Sequence, residues 1–265
     1  MGLLMGWGVF TTLRIYEGVP FAFERHWARM TCDAERLGFA LGYRQEEVWD
    51  AVVKLTAANH RPEAMGRISI VKNQGGLWAQ APGPRPTDLL IFTRELVAWP
   101  ATQKLKLTPN IVFAGGKLAG AKMLSWVHNA GTLEAAHAEG FDDALLVNEQ
   151  SHLAECTSAN IFLVRDGQVL TPPLSSGCLP GITREVLREV IPAAGYRLLQ
   201  LDLTPQDLNS AAEVFITSTT REVAGVGSIH PNWTYPAPGP MTRALAAAFQ
   251  QYVRSHLQRA AAHRS

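Results

Sequence analysis

Residues 152–164 read HLAECTSANIFLV. The run divides into a strand-like HLAE, a turn at Cys156-Thr157-Ser158 and a second apolar strand, NIFLV. Directly beyond it, the Asp-Gly of RDGQ (165–168) separates NIFLV from VLTPP, a β-hairpin signal. Upstream, LAGAKMLSW (118–126) opens a segment read as a helix over 122–139 and ended by Gly140. Two ionisable side chains stand out: Glu155 at a strand end, and Lys122 surrounded by Ala, Leu, Met and Trp.

Outward from there, Phe23, Trp27, Met30, Ala34, Leu37 and Leu41 recur at helical steps and predict an amphipathic helix over 23–42. A second helix is expected over 45–58. RISIVK (67–72) and DLLIFTR (88–94) predict strands, with the proline-rich APGPRP (81–86) as a loop between them. After Trp99-Pro100 the pattern restarts. LKLTP, ALLVN and EVFITS read as strands, LPGITREVLREVI as a helix started at Pro180-Gly181, and 240–260 as a closing helix. Helices and strands mix without strict alternation, which predicts an α+β chain of two lobes. Domains are expected over 1–95 and 102–265, joined by a linker over 96–101.

The 265 residues are 47% hydrophobic and 18% charged, enough to bury a core and to exclude wholesale disorder. Basic residues number 24 and acidic residues 23, so no global field favours nucleic acid or an acidic membrane. The apolar runs are too short to span a bilayer. The opening MGLLMGWGVF lacks a basic leader and a small-residue cleavage site and is read as part of the fold. Cys32, Cys156 and Cys178 suggest neither a disulfide framework nor a zinc site and fit a reducing cytoplasm. The eight histidines show no metal-ligand spacing, and no metal is expected.

A lysine in apolar surroundings is partly desolvated, which lowers an amine's pKa and frees its lone pair for attack on a carbonyl. The plain alternative is a lysine snorkelling from a core helix. Glu155 alone reads as a strand-end acid or local cap. Together they make sense as the two ends of one pyridoxal 5'-phosphate. The lysine would form the Schiff base, and the acid would keep the ring nitrogen protonated so that the ring acts as an electron sink. The phosphate needs donors. Gly181-Ile182-Thr183 opens a helix and Ser218-Thr219-Thr220 follows a strand; each alone is equally an ordinary cap or turn. His26 and Arg29, three residues apart on one helix side, offer a cation or form a solvated polar face.

Six stretches in order resemble the fold-type IV pyridoxal phosphate enzymes, the class IV aminotransferases. They are GWGVFTTLR, FERHWARM, AGAKMLSW, FDDALLVNEQSHLAECTSANIF, SSGCLPGITR and EVFITSTTREV. The family includes branched-chain and D-amino-acid aminotransferases and aminodeoxychorismate lyase. The resemblance makes Lys122 the Schiff-base lysine, Glu155 the partner of the pyridine nitrogen and Arg29, paired with His26, the phosphate-binding arginine. Ile182 and Thr183, then Ser218 and Thr219, match the two phosphate turns. It also implies a small N-terminal α/β domain, a larger β-rich C-terminal domain carrying the lysine, the cofactor between them, and a homodimer. Two departures stand out. The family usually has one or two strands before GWGVF, so the start is expected to be misassigned or the small domain trimmed; and Trp7 replaces a frequent aspartate.

Two reactions stay open. The first is amino transfer between an amino acid and a 2-oxo acid. The second is release of pyruvate from aminodeoxychorismate to leave 4-aminobenzoate. Thr12 matches the lyases, whereas branched-chain aminotransferases tend to have glycine there, although strand threonines are common. Arg67 and Lys72 are candidates for holding a substrate carboxylate, or simply face water. Trp78 is a candidate pocket wall, or packs on its own loop. A non-catalytic ligand-binding relative is the remote alternative.

Overall fold

The computed structural model describes residues 2–73 and 86–262. They form a mixed α/β protein with two sheets. By proximity the chain divides into two compact units. One groups the described residues of Met1–Val97, Ala121–Trp126 and Ser255–Ser265, the other those of Ala98–Gly120 and Val127–Arg254.

The first unit contains α1 (Gly2–Met5), β1 (Gly8–Tyr16), β2 (Val19–Pro20), α2 (Phe23–Arg36), α3 (Gln45–Ala58), β3 (Ala64–Lys72) and β4 (Thr87–Arg94). Its antiparallel sheet runs β2-β1-β3-β4. Strand alternation sends Val9, Leu13 and Ile15 of β1 and Ile68 and Ile70 of β3 into one core with Phe23 and Met30 of α2 and Val48 and Val52 of α3. Each such side chain contributes about 1.5–3 kcal/mol on burial. The alternate set on β1, Phe10 and Thr12, lies on the other sheet face, with Arg67 paired across from Thr12. The helix expected over 23–42 stops at Arg36. Gly38 takes a left-handed φ of 77°, and its N–H bonds Glu35 O while Phe39 N–H bonds Ala34 O. That closure satisfies the last carbonyls. Leu41 still reaches the core, from the following loop.

The second unit contains β5 (Gln103–Val112), α4 (Val127–Ala138), β6 (Asp143–Asn148), β7 (Leu153–Cys156), β8 (Asn160–Arg165), β9 (Gln168–Thr171), α5 (Ile182–Ala193), β10 (Arg197–Gln200), β11 (Glu213–Ser218), β12 (Glu222–His230), β13 (Trp233–Thr234) and α6 (Pro240–Ala262) up to Arg254. Eight strands run in the order β10-β9-β8-β11-β12-β5-β6-β7, and β13 pairs with β12. Leu145, Leu153, Ile161, Leu163, Ile216 and Val226 fill its core. The expected hairpin is β8–β9. Asp166 and Gly167 take φ of 50° and 71°, the left-handed pair that a two-residue turn needs.

One expectation fails at an informative place. The helix expected from 122 starts at Val127, and Lys122 precedes it. Residues 121–126 instead line the edge of β1 and group with the first unit rather than with the C-terminal domain. Val9 bridges Met123, Phe10 N–H donates to Lys122 O at 3.0 Å and Leu124 N–H to Gly8 O at 2.9 Å. The cause is an edge that β2 covers only at Ile15 and Tyr16. Its unpaired backbone groups need partners, and this segment supplies them.

Candidate active site

In the first unit, Lys122 sits in an aromatic setting. Its Nζ lies 4.6 Å from the Phe10 ring centre and 4.4 Å from that of Trp126. The two rings meet edge to face at 5.5 Å. Phe10 also carries Arg67, whose guanidinium lies 3.9 Å from the ring centre and whose pKa burial lowers. The lysine's main chain is fixed by the bonds to β1 and by its N–H, which donates to Asp33 Oδ2 at 3.0 Å. On the core side of β1, Thr11 Oγ1 is 2.6 Å from His26 Nδ1 and accepts from Arg29 Nη2 at 2.9 Å. His26 is only 2% exposed, so it is no solvated face. Burial holds its pKa well below the ordinary value, and the Arg29 and Lys122 charges push the same way.

In the second unit, Glu155 lies near the end of β7 and is 9% exposed. Its Oε2 accepts the Leu179 N–H at 3.0 Å and the Asn160 amide at 3.5 Å. Asn160 Nδ2 also donates to Leu179 O at 2.9 Å. The Cys178 thiol is pushed up to about 11, first by burial and then by the Glu155 charge, which leaves it inert as a nucleophile. Next along the chain, Gly181 begins α5 with no side-chain cap, and Ile182 and Thr183 are its first residues. Uncapped N–H groups at a helix start favour an anion. Paired with Asn160 from β11 is Thr217, whose buried Oγ1 has no hydrogen-bond partner among the described residues. Ser218 ends β11, and its Oγ accepts the Arg221 N–H at 3.1 Å; Thr219 follows in the turn.

The turn after Glu155 has a buried ionic anchor that the sequence reading missed. Asp143 accepts from Thr157 N, Thr157 Oγ1 and Ser158 Oγ at 3.0, 2.6 and 2.7 Å. It also pairs with Arg221 Nη2 at 3.3 Å, with both side chains almost fully buried. A signal was present at Asp143, a charge that opens the apolar strand run DALLVN; Arg221 lies in the polar turn STTR and gave none.

Arg67 and Lys72 are not brought together. Five residues apart on a strand, they point to opposite faces. Lys72 Nζ stacks on Trp7 at 3.8 Å and reaches Gly38 O at 3.3 Å, beside the end of α2. Trp78 lies outside the described residues. Thr12 is half-buried on the Arg67 side of β1. Among the described residues there is no cluster with metal-ligand geometry, and no helix is long and apolar enough to cross a membrane.

Known proteins resemble this chain over most of its length. A branched-chain-amino-acid aminotransferase of Methanocaldococcus jannaschii, so named provisionally, is 29% identical over 232 residues, covering 86% of this chain and 80% of its own. The crystal structure of a Legionella pneumophila protein, provisionally named 4-amino-4-deoxychorismate lyase, superposes with a TM-score of 0.87 at 22% identity, covering 94% and 92% of the two chains. A T.th. branched-chain amino acid aminotransferase, solved with pyridoxamine 5'-phosphate, gives 0.84 at 26% identity over 95% and 86%. The family model for amino-transferase class IV matches residues 8–229, and this chain belongs to that family.

Proposed function

We propose that this protein is a pyridoxal-phosphate-dependent aminotransferase that moves an amino group between an amino acid and a 2-oxo acid. The observation that carries the reading is Lys122 Nζ between the Phe10 and Trp126 rings, on a backbone fixed at its N–H and its C=O. The residues fit the group chemically. They include an amine among rings, a buried carboxylate held by a main-chain N–H, an uncapped helix start and an unpartnered buried hydroxyl at Thr217. When bound, the cofactor supplies an aldehyde for the amine and a ring that withdraws electrons from the substrate Cα.

Lys122 would hold the cofactor through its amine and, once freed, would take the substrate Cα proton and deliver it to the cofactor carbon. Glu155 would keep the proton on the ring nitrogen. Its hydrogen bonds from Leu179 and Asn160 favour the ionised carboxylate needed for that role. Arg29, oriented by Thr11 and His26, would supply a cation for the phosphate from the first unit, and Ile182, Thr183, Ser218 and Thr219 would supply donors for it from the second. Arg67, desolvated and stacked on Phe10, binds an acidic group of the substrate.

Aminodeoxychorismate lyase is the second reading. It is favoured by Thr12, a hydroxyl directly across the ladder from Arg67. Exposed Leu3, Leu4 and Phe92 in the first unit and Phe113 and Val127 in the second support a homodimer, to be checked by light scattering. Three unpaired thiols support the cytoplasm as its compartment. The reaction is tested by supplying amino acids of both hands with a 2-oxo acid. Amine exchange that stops without the acceptor supports the aminotransferase. Pyruvate release from aminodeoxychorismate with no acceptor overturns it in favour of the lyase.

A further inference from the structure

We propose that Asp33 is a positioning residue for Lys122, its buried carboxylate on α2 holding the lysine segment in register on the edge of β1. The inference rests on the reading of Lys122 given above. Asp33 is 2% exposed, among the most buried charged side chains of the first unit. Its Oδ2 accepts the Lys122 N–H at 3.0 Å, and its Oδ1 lies 3.6 Å from Arg36 Nη1. Residues 122–124 are tied to β1 by two main-chain bonds, from Phe10 N–H to Lys122 O and from Leu124 N–H to Gly8 O. One residue of slip would turn the Lys122 side chain away from Phe10 and Trp126. The Asp33 bond is a further point of attachment, and it comes from a helix rather than from the strand ladder. His26, Arg29 and Asp33 recur at three- and four-residue steps, so one stripe of α2 serves Thr11 and the lysine segment together. Burial raises the Asp33 pKa, while the Lys122 N–H and the charges of Arg29, Arg36 and Lys122 oppose the rise.

The test is amide hydrogen exchange on the full-length protein stripped of cofactor, comparing Asp33→Ala and Asp33→Asn. Asn keeps an oxygen acceptor of the same size. The expected result is exchange at 122–124 about ten-fold faster in Asp33→Ala, the loss of one buried hydrogen bond. Exchange in the rest of α2 stays unchanged, and Asp33→Asn restores protection. Faster exchange throughout α2, or no rescue by Asn, assigns Asp33 to helix stability alone and overturns the proposal. Unchanged exchange at 122–124 in Asp33→Ala also overturns it. Because no cofactor is present, these outcomes are independent of whether Lys122 carries one, which a reduced-adduct measurement decides separately.

Discussion

Thr11 Oγ1 stands 2.6 Å from His26 Nδ1 while accepting a hydrogen bond from Arg29 Nη2. A hydroxyl has one proton and two lone pairs, so Oγ1 serves both neighbours at once, and the imidazole tautomer sets which way the bond to Nδ1 runs. Burial, which penalises the imidazolium, favours the neutral ring of His26. Thr11→Val leaves both the ring nitrogen and the guanidinium N–H without this partner. The expected cost is about 1–3 kcal/mol in urea unfolding, together with weaker retention of the cofactor. Thr11→Ser, which keeps the hydroxyl, recovers most of both.

The neutral state of His26 makes stability depend on pH. Its folded pKa lies below that of the unfolded chain, so between the two values the unfolded state binds more protons. Stability is then unaffected well above the unfolded value and is lost as pH falls below about 6.5. The slope approaches roughly 1.4 kcal/mol per pH unit for one such group. His256, also lowered by burial, adds to it. Thermal unfolding from pH 7 to pH 5 should show a steep fall that His26→Gln flattens in part.

Gly181 shows a requirement for space. Its φ of −66° suits any residue, yet a Cβ there would lie 2.0 Å from Asn160 Oδ1. Gly181→Ala must push Asn160 away from Glu155 and Leu179. Overpacking of this kind costs about 1–3 kcal/mol. Equilibrium dialysis should find pyridoxal phosphate bound more weakly, even in protein that remains folded.

Asp143 and Arg221 brace the turn that follows Glu155. Removing one member of a buried pair strands the other charge, at about 3–5 kcal/mol. Asp143→Ala should lower the unfolding free energy in denaturant by that amount without changing the oligomeric state seen by light scattering.

How far the letters led depends on where each constraint lies. The Asp166-Gly167 turn, α3 and the start of α5 are local, and their residues announce them. The true start of α4 was hidden because apolar letters after Lys122 fit a helix equally well. What draws 121–126 into an extended segment is an uncovered edge on β1, more than a hundred positions away in sequence. Glu155 and Lys122 were legible as candidates through their motifs. Asp33 and Thr11 were not, because a polar residue on a helix or strand reads as solvated until its burial is known. Arg67 and Lys72 illustrate period two: an odd separation puts them on opposite faces, a consequence of the spacing alone.

The central claim concerns the amine at 122, and the direct measurement is borohydride reduction of the protein saturated with pyridoxal phosphate, followed by peptide mass mapping. The account predicts a single phosphopyridoxyl adduct on the peptide carrying Lys122, absent in Lys122→Ala. An adduct on another lysine, or no adduct in protein that binds the cofactor, contradicts it.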